Sequence, residues 1–212
     1  MEKEIKTVDF KLYLITDRNL LTPHSSLLTA VEEALKGGVK AVQLREKDLR
    51  TRDLLEMAYK MREMTKKYNA KFFVNDRVDV ALAVGADGVH LGQQSIPAEA
   101  VRRIAHNKLM VGASTHSIEE AISADKQGAD FITLGPVFET PSKMKYGKPV
   151  GVDLLREAKE KISIPVFAIG GIKEDKVSDV IKAGADGIAL VSGIFGASQI
   201  KEKTDGFMRL LK

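Results

Sequence analysis

The 212-residue chain contains no cysteine. That excludes disulfides, thiolate nucleophiles and Cys-ligated metal centres. Long apolar runs are missing too. The longest uncharged stretch, Gly187 to Ile200, holds 14 residues and three glycines, against about 20 apolar residues for a membrane-spanning helix. The opening MEKEIKTVDF alternates in charge too often for a signal or transit peptide. There is no Ser/Gly/Pro linker, low-complexity tract or composition break, so the expectation is one domain over residues 1–212. With no export signal, zero cysteine fits the cytoplasm. Charge of one sign is scarce as well: 33 Lys+Arg against 29 Asp+Glu leaves +4. Spread over the chain, that surplus gives little ground for nucleic-acid binding, which relies on a concentrated basic patch.

What is present is an ordinary globular composition, 44% apolar and 29% charged, and an internal repeat. Four segments share one pattern: Ala34 to Leu44, Ala83 to Leu91, Lys126 to Leu134 and Lys182 to Leu190. Each reads as a helix end, a glycine in the left-handed helix-stop conformation, then a short apolar strand. The stop glycines are Gly37, Gly85, Gly128 and Gly184, separated by 48, 43 and 56 residues. Each interval has room for two strand–helix units. Lys11–Thr16, Lys71–Asn75, Leu109–Ala113 and Pro165–Ile169 supply the other strands. Ser117, followed by Glu119 and Glu120, reads as a helix N-cap with acids in the first turn. Eight parallel strands alternating with eight helices predict a TIM-type eight-stranded parallel βα barrel. No Gly-x-Gly-x-x-Gly follows the first strand, which counts against a dinucleotide-binding sheet.

A barrel of this type carries its site at the C-terminal ends of the strands. Polar residues follow each apolar run there. Gln43, Arg45 and Lys47 alternate, which predicts one shared face of the second strand, pointing into the lumen. Two cations and an amide in that place call for an anionic partner, phosphate or pyrophosphate; the structural alternative is Arg45 paired with Glu46 or Asp76. Gly170-Gly171 and Ser192-Gly193 follow strands 7 and 8, where barrels often bind phosphate, although tight turns use the same residues. Asp76 is the candidate Mg²⁺ ligand, or else the N-cap of a helix over Arg77–Val84. His90 reads as a packed histidine and His116 as the more reachable acid/base candidate. After strand 6 comes a 17-residue loop, Gly135 to Gly151, long enough to act as a lid.

These strand-end motifs together resemble the thiamine phosphate synthase family, from Leu12-Tyr-Leu-Ile-Thr-Asp17 to Ser192-Gly193. The matching motifs are Gln43-Leu-Arg-Glu-Lys47, Asn75-Asp76-Arg77, Gly88-Val-His-Leu-Gly-Gln93, Gly112-Ala-Ser-Thr-His116, the segment from Gly135 to Lys143, Ile169-Gly-Gly-Ile172 and Val191-Ser192. The resemblance implies a TIM barrel that joins hydroxymethylpyrimidine diphosphate to a thiazole phosphate, with pyrophosphate released. It implies that Gln43, Arg45, Lys47, Asn75, Ser114 and Lys143 hold the pyrimidine diphosphate. Arg45, Lys47, Lys143, Ser114 and His116 are the candidate catalytic groups. Thr140, Ser142, Gly170, Gly171, Val191 and Ser192 are implied for the thiazole phosphate, and Asp76 for Mg²⁺. Ser95 stands where synthases usually carry a second acid, which leaves a hydroxyl as the other candidate metal ligand. That change, and the segment Phe138 to Lys143, resemble the thiazole tautomerase (TenI-type) relatives, whose acid/base histidine His116 matches. A non-catalytic regulatory barrel is the third reading. The implied partners are small phosphorylated molecules, with neither nucleic acid nor membrane; the sequence leaves homo-oligomer formation open.

Overall fold

The computed structural model describes residues 7–22, 25–140 and 149–212. Its strands are β1 Leu12–Ile15, β2 Ala41–Leu44, β3 Lys71–Asn75, β4 Gly88–Leu91, β5 Met110–Thr115, β6 Phe131–Leu134, β7 Val166–Ile169 and β8 Gly187–Leu190. They close in sequence order into a barrel in which every neighbouring pair is parallel. The helices between them are α1 Leu27–Lys36, α2 Thr51–Lys67, α3 Val78–Ala83, α4 Ala98–Ala105, α5 Ile118–Lys126, α6 Gly151–Lys161 and α7 Glu174–Lys182, and a 3₁₀ turn covers Arg18–Leu20. The expected eighth helix is divided into a one-turn α8, Ser192–Phe195, and α9, Ile200–Leu210. The predicted cap at Ser117 is present, its hydroxyl accepting from Glu120 N at 3.2 Å.

Period-two alternation sorts each strand between two cores. Leu12, Leu14, Val42, Val74, Val89, Val111, Ile132, Ala168 and Ile188 pack outward against the helices. Tyr13, Ala41, Phe73, Met110, Phe131, Phe167 and Ala189 fill the lumen, closed from the N-terminal end by Phe10. The rings mesh edge to face, with centroids 5.3 Å apart for Tyr13 and Phe73 and 5.5 Å for Phe73 and Phe131. Three strand glycines make room for them. A Cβ on Gly88 would lie 2.4 Å from the Phe73 ring, one on Gly112 2.5 Å from Phe131 and one on Gly187 2.6 Å from Phe167. Each glycine sits across the ladder from the ring that it admits.

The internal repeat has a structural meaning at the opposite end of the barrel. Its Gly-Ala-Asp triplets end in Asp87, Asp130 and Asp186. Each of these carboxylates accepts a backbone N–H of the preceding strand's chain: Phe72 N at 2.8 Å, Val111 N at 2.6 Å and Val166 N at 2.8 Å. Each also pairs with a cation on the helix that precedes the first strand of the pair: Arg62 of α2 at 2.6 Å, Arg102 of α4 at 2.7 Å and Lys159 of α6 at 2.8 Å. One acidic side chain thereby ties a strand, the next strand and the helix that leads into the first of them. In the first copy of the repeat Lys40 takes the Asp place and donates to Tyr68 O at 2.9 Å. The helix stop there also differs from expectation. Gly37 keeps an ordinary φ of −76°, and the left-handed residue is Gly38, at +101°.

Candidate active site

The polar residues begin one layer above the aromatic rings, as the alternation requires. Gln43 continues the inward row of Ala41, Asn75 that of Phe73, His90 that of Gly88, and Ser114 that of Met110 and Gly112. Adjacent strands bring them into contact. Gln43 Nε2 donates to Asn75 Oδ1 at 3.0 Å, and Asn75 Nδ2 donates to Asp76 Oδ2 at 2.7 Å. The Ser95 hydroxyl donates to Asp76 Oδ1 and itself accepts from Gly92 N at 2.7 Å; Gly92 N also lies 3.3 Å from Asp76 Oδ1. A second chain runs beside the first. His90 Nε2 meets Ser114 Oγ at 3.0 Å, and Gln93 Nε2 donates to Ser114 O at 2.5 Å. A cleft of about 250 Å³ opens next to Ser95 and Ser114, bordered by Gly92, Gln93, Ile96 and Gln127.

Asp76 is not the helix cap that the sequence offered as an alternative. Helix α3 starts at Val78 behind Arg77, which makes no side-chain cap bond. Asp76 instead adopts φ +58°, a conformation uncommon outside glycine and the Asn/Asp pair and concentrated at functional sites. Its half-buried carboxylate is held at the barrel mouth by three donors. Among the described residues no three His, Cys, Asp or Glu side chains gather as a metal cluster. One carboxylate with a neighbouring hydroxyl suits Mg²⁺, which commonly takes one or two protein carboxylates and draws its remaining ligands from water and substrate phosphates.

The expectation of one shared strand face for Gln43, Arg45 and Lys47 needs correction. Strand β2 ends at Leu44, so only Gln43 lies in the lumen. Arg45 is half-buried and Lys47 exposed, both in the turn above. The alternative pairing of Arg45 with Glu46 or Asp76 is not made. Glu46 is occupied by the Thr16 hydroxyl at 2.7 Å and by Arg18 at 3.2 Å. Among the described residues neither Arg45 nor Lys47 has an ion-pair partner. The mouth therefore carries two uncompensated cations beside a polar floor, an arrangement that favours a phosphorylated anion.

The two histidines have the characters expected of them, His90 packed and His116 reachable, but the packed one touches a site residue. His90 is only 2% exposed, lies against Tyr13 and Phe131, and reaches Ser114 within the site. Burial pushes its pKa down to about 3; the charge of Asp76 opposes that fall and Arg45 adds to it. The signal was the strand pattern Gly88-Val-His-Leu91, which turns His90 inward between two outward apolar residues. His116 is exposed beyond β5 and is held by Glu120 of the helix that follows, through His116 N at 2.7 Å and Nδ1 at 3.2 Å.

Gly170 and Gly171 have φ of +95° and +67°, and their roles are partly steric. A Cβ on Gly170 would lie 2.6 Å from Pro136 Cα, and one on Gly171 2.5 Å from Glu139 O. The loop after β6 thus crosses directly over them. It is pinned there by Val137 N to Ile169 O at 2.9 Å and Phe138 N to Gly170 O at 3.1 Å, and it returns through Val150 N to Pro136 O at 2.8 Å. Half-buried Thr140 lies on this loop; Ser142 and Lys143 fall outside the described residues. Val191 precedes α8, and exposed Ser192 opens it. Gly193 sits against Ile172 O, 3.6 Å from an added Cβ, so the loops after β7 and β8 are neighbours.

The chain matches the family model described as thiamine monophosphate synthase over residues 12–194. A protein named putative thiamine-phosphate synthase from Geobacter sulfurreducens is 50% identical over 204 residues, 96% of this chain and 95% of that one. The thiamine-phosphate synthase of Pyrococcus abyssi is 46% identical over 202 residues, 95% of each chain. Among solved structures, a thiamine phosphate pyrophosphorylase from Pyrococcus furiosus superposes with a TM-score of 0.87 at 44% identity over 95% of both chains. A 3-hexulose-6-phosphate synthase at 19% identity and TM-score 0.66 shares the fold alone. With this identity running over nearly the whole length of both chains, the chain belongs to the thiamine monophosphate synthase family.

Proposed function

We propose that this chain, acting as one barrel domain, is a thiamine phosphate synthase that condenses hydroxymethylpyrimidine diphosphate with thiazole phosphate. The observation that carries the reading is the Gln43–Asn75–Asp76–Ser95 chain of contacts beside the unpaired Arg45 and Lys47. The bond from the pyrimidine methylene carbon to the diphosphate oxygen breaks, and its electron pair leaves with pyrophosphate. The thiazole nitrogen gives its lone pair to that carbon, and the positive charge ends on the thiazolium ring. Neither a covalent nucleophile nor a proton transfer is needed, so the protein's contribution is position and charge. Arg45 and Lys47, with Lys143, meet the leaving diphosphate, and Gln43, Asn75 and Ser114 hold its pyrimidine end. Thr140, Ser142, Gly170, Gly171, Val191 and Ser192 take the thiazole phosphate. Asp76 would hold Mg²⁺ with the Ser95 hydroxyl alongside; when bound, the ion neutralises charge on the diphosphate. The loop after β6 excludes water from the cationic methylene. No helix among the described residues is long and apolar enough to cross a membrane, in keeping with dissolved phosphorylated substrates in the cytoplasm.

The tautomerase reading needs His116 as acid and base, whereas His116 is turned to solvent and bound to Glu120. The deciding assay supplies both substrates and Mg²⁺ and follows thiamine phosphate and pyrophosphate. The synthase reading requires condensation that Asp76→Ala abolishes and His116→Ala largely spares. No condensation, with thiazole isomerisation lost in His116→Ala, would replace it by the tautomerase.

A further inference from the structure

A hollow of about 390 Å³ lies at the N-terminal end of the barrel, away from the candidate site. Lys40 stands just before β2, Lys71 opens β3, and Arg62 and Lys66 lie toward the end of α2; Asp9 and Asp87 complete its charged lining. Arg62 pairs with Asp87 at 2.6 Å. Among the described residues Lys40, Lys66, Lys71 and Asp9 have no ion-pair partner. Arg102 holds the place before β5 that Arg62 holds before β3, and the two differ in how fully they are bonded. Arg102 Nε and Nη2 donate to Gly128 O at 2.9 and 2.6 Å, Nη1 donates to Leu109 O at 2.9 Å, and Nη2 meets Asp130 at 2.7 Å. Arg62 has five N–H donors, yet among the described residues it donates only through Nη1, to Asp87, and its Nε is buried without a partner. Such exceptions in a folded protein call for an explanation. Helix chemistry supplies part of one. Lys66 and Lys67 end α2, where cations offset the negative end of the dipole, and Lys40 donates to Tyr68 O there at 2.9 Å. Half-buried Lys71 and the unused donors of Arg62 have no such duty.

We infer that this hollow is a second anion site, independent of the chemistry at the opposite end of the barrel, which takes a phosphate group between Arg62, Lys66 and Lys71. Four cations against two carboxylates leave a charge of +2 in the hollow, which one phosphate dianion balances. Its several oxygens also give the guanidinium and ammonium donors charged acceptors, the stronger kind of hydrogen bond. Inorganic phosphate and a phosphate monoester share this chemistry; the ester's hydroxyls can in addition donate to Asp9. An anion held there joins α2 to the openings of β2 and β3. It lies beside the one copy of the repeat that has Lys40 in place of its aspartate, so solution supplies negative charge where the chain does not.

The test reads the lysines themselves. Wild-type protein, with a chelator to remove divalent cations, is acetylated with limiting reagent, and each lysine is followed by mass spectrometry. Saturating inorganic phosphate is expected to slow labelling of Lys66 and Lys71 by about fivefold or more relative to sodium chloride of equal ionic strength, which screens charge without bridging it. Exposed Lys60 and Lys212 serve as references and should label at an unchanged rate. Equal labelling of Lys66 and Lys71 in the two salts overturns the inference, and needs no variant to fold. In a second arm ribose 5-phosphate replaces phosphate. Stronger protection by the ester assigns the site to phosphorylated metabolites, with Asp9 receiving a hydroxyl; stronger protection by phosphate assigns it to the free ion. Lys66→Gln/Lys71→Gln separates this end of the barrel from the mouth. Phosphate at ten times its Kd should raise the wild-type Tm by about 4 °C more than that of the variant. Equal rises would place the phosphate at the mouth alone and overturn the inference.

Discussion

His90 Nε2 lies 3.0 Å from Ser114 Oγ, and this contact decides which group on Ser114 is free for a ligand. His90 is neutral at physiological pH, with its pKa near 3, and carries one N–H. Its Nδ1 is buried without a partner among the described residues. A bare ring nitrogen there is less costly than a stranded N–H, so the proton belongs on Nε2. Ser114 Oγ then accepts from His90 and keeps its own O–H for an anion. Replacing His90 by Phe removes that constraint. The expected result is a KM for the diphosphate substrate raised about tenfold, the equivalent of one hydrogen bond, with kcat changed less. Equal losses in both constants would show that His90 acts otherwise.

Acid stability depends on the same residue. In the unfolded chain His90 titrates near 6.5, and in the barrel near 3. Between those values the unfolded state holds a proton that the folded state refuses. The stability tied to His90 is present in full above about pH 6.5 and is lost as pH falls toward 3, at up to ~1.4 kcal/mol per pH unit. Urea unfolding of metal-free wild type and His90→Gln across that range measures it. The variant should show the shallower slope, and parallel slopes would refute the prediction.

Gly112 admits the Phe131 ring. An added methyl would lie 2.5 Å from Phe131 Cζ and 2.5 Å from His90 Nδ1. Gly112→Ala should destabilise the barrel by about 1–3 kcal/mol, as overpacking does, seen as a lowered denaturant midpoint at constant m-value.

Asp130 accepts from Val111 N and pairs with Arg102 at the end of the barrel away from the site. Asp130→Ala strands a backbone donor and a half-buried guanidinium, and should cost about 2–3 kcal/mol of stability. The turnover of the molecules that remain folded should stay at the wild-type value. A selective loss of turnover would disprove the separation of the two ends.

Ser95 and Asp76 are in hydrogen-bond contact. Ser95→Asp places a second carboxylate there, and two like charges so close are relieved by a divalent cation. Calorimetry with Mg²⁺ and pyrophosphate should show affinity raised about tenfold or more, with the metal-free variant less stable than wild type. Unchanged affinity would put the metal elsewhere.

The barrel was legible because the Gly-Ala-Asp repeat and the apolar strands are local signals. Strand ends were less so. The alternation of Gln43, Arg45 and Lys47 reads as a continuing strand, but the chain turns after Leu44, where Thr16 Oγ1 accepts from Arg45 N at 2.9 Å. That bond joins residues 29 positions apart, and no pattern in either segment announces it. The same holds for Glu46, whose partners Thr16 and Arg18 come from another strand end. The sequence marks His116 as the reachable histidine and His90 as the packed one, and both are so. Inward parity on β4 adds that packed His90 meets Ser114.

The three repeated aspartates give the barrel a coarser grain than its eight strands. Asp87, Asp130 and Asp186 each bind a strand to the one before it, and the units so formed are the pairs β3 with β4, β5 with β6 and β7 with β8, each with the helix that leads into it. The pair of β1 and β2 lacks the acid and has Lys40 in its place. Three quarters of the ring thus carry an aspartate staple at that end, and the remaining pair is tied at the opposite end instead, through Thr16, Arg45 and Glu46. A circular permutant opened between β2 and α2 leaves every staple within its module, whereas one opened between β5 and β6 divides a module. The seams of the barrel are therefore written in its acidic residues, at the end opposite the candidate site.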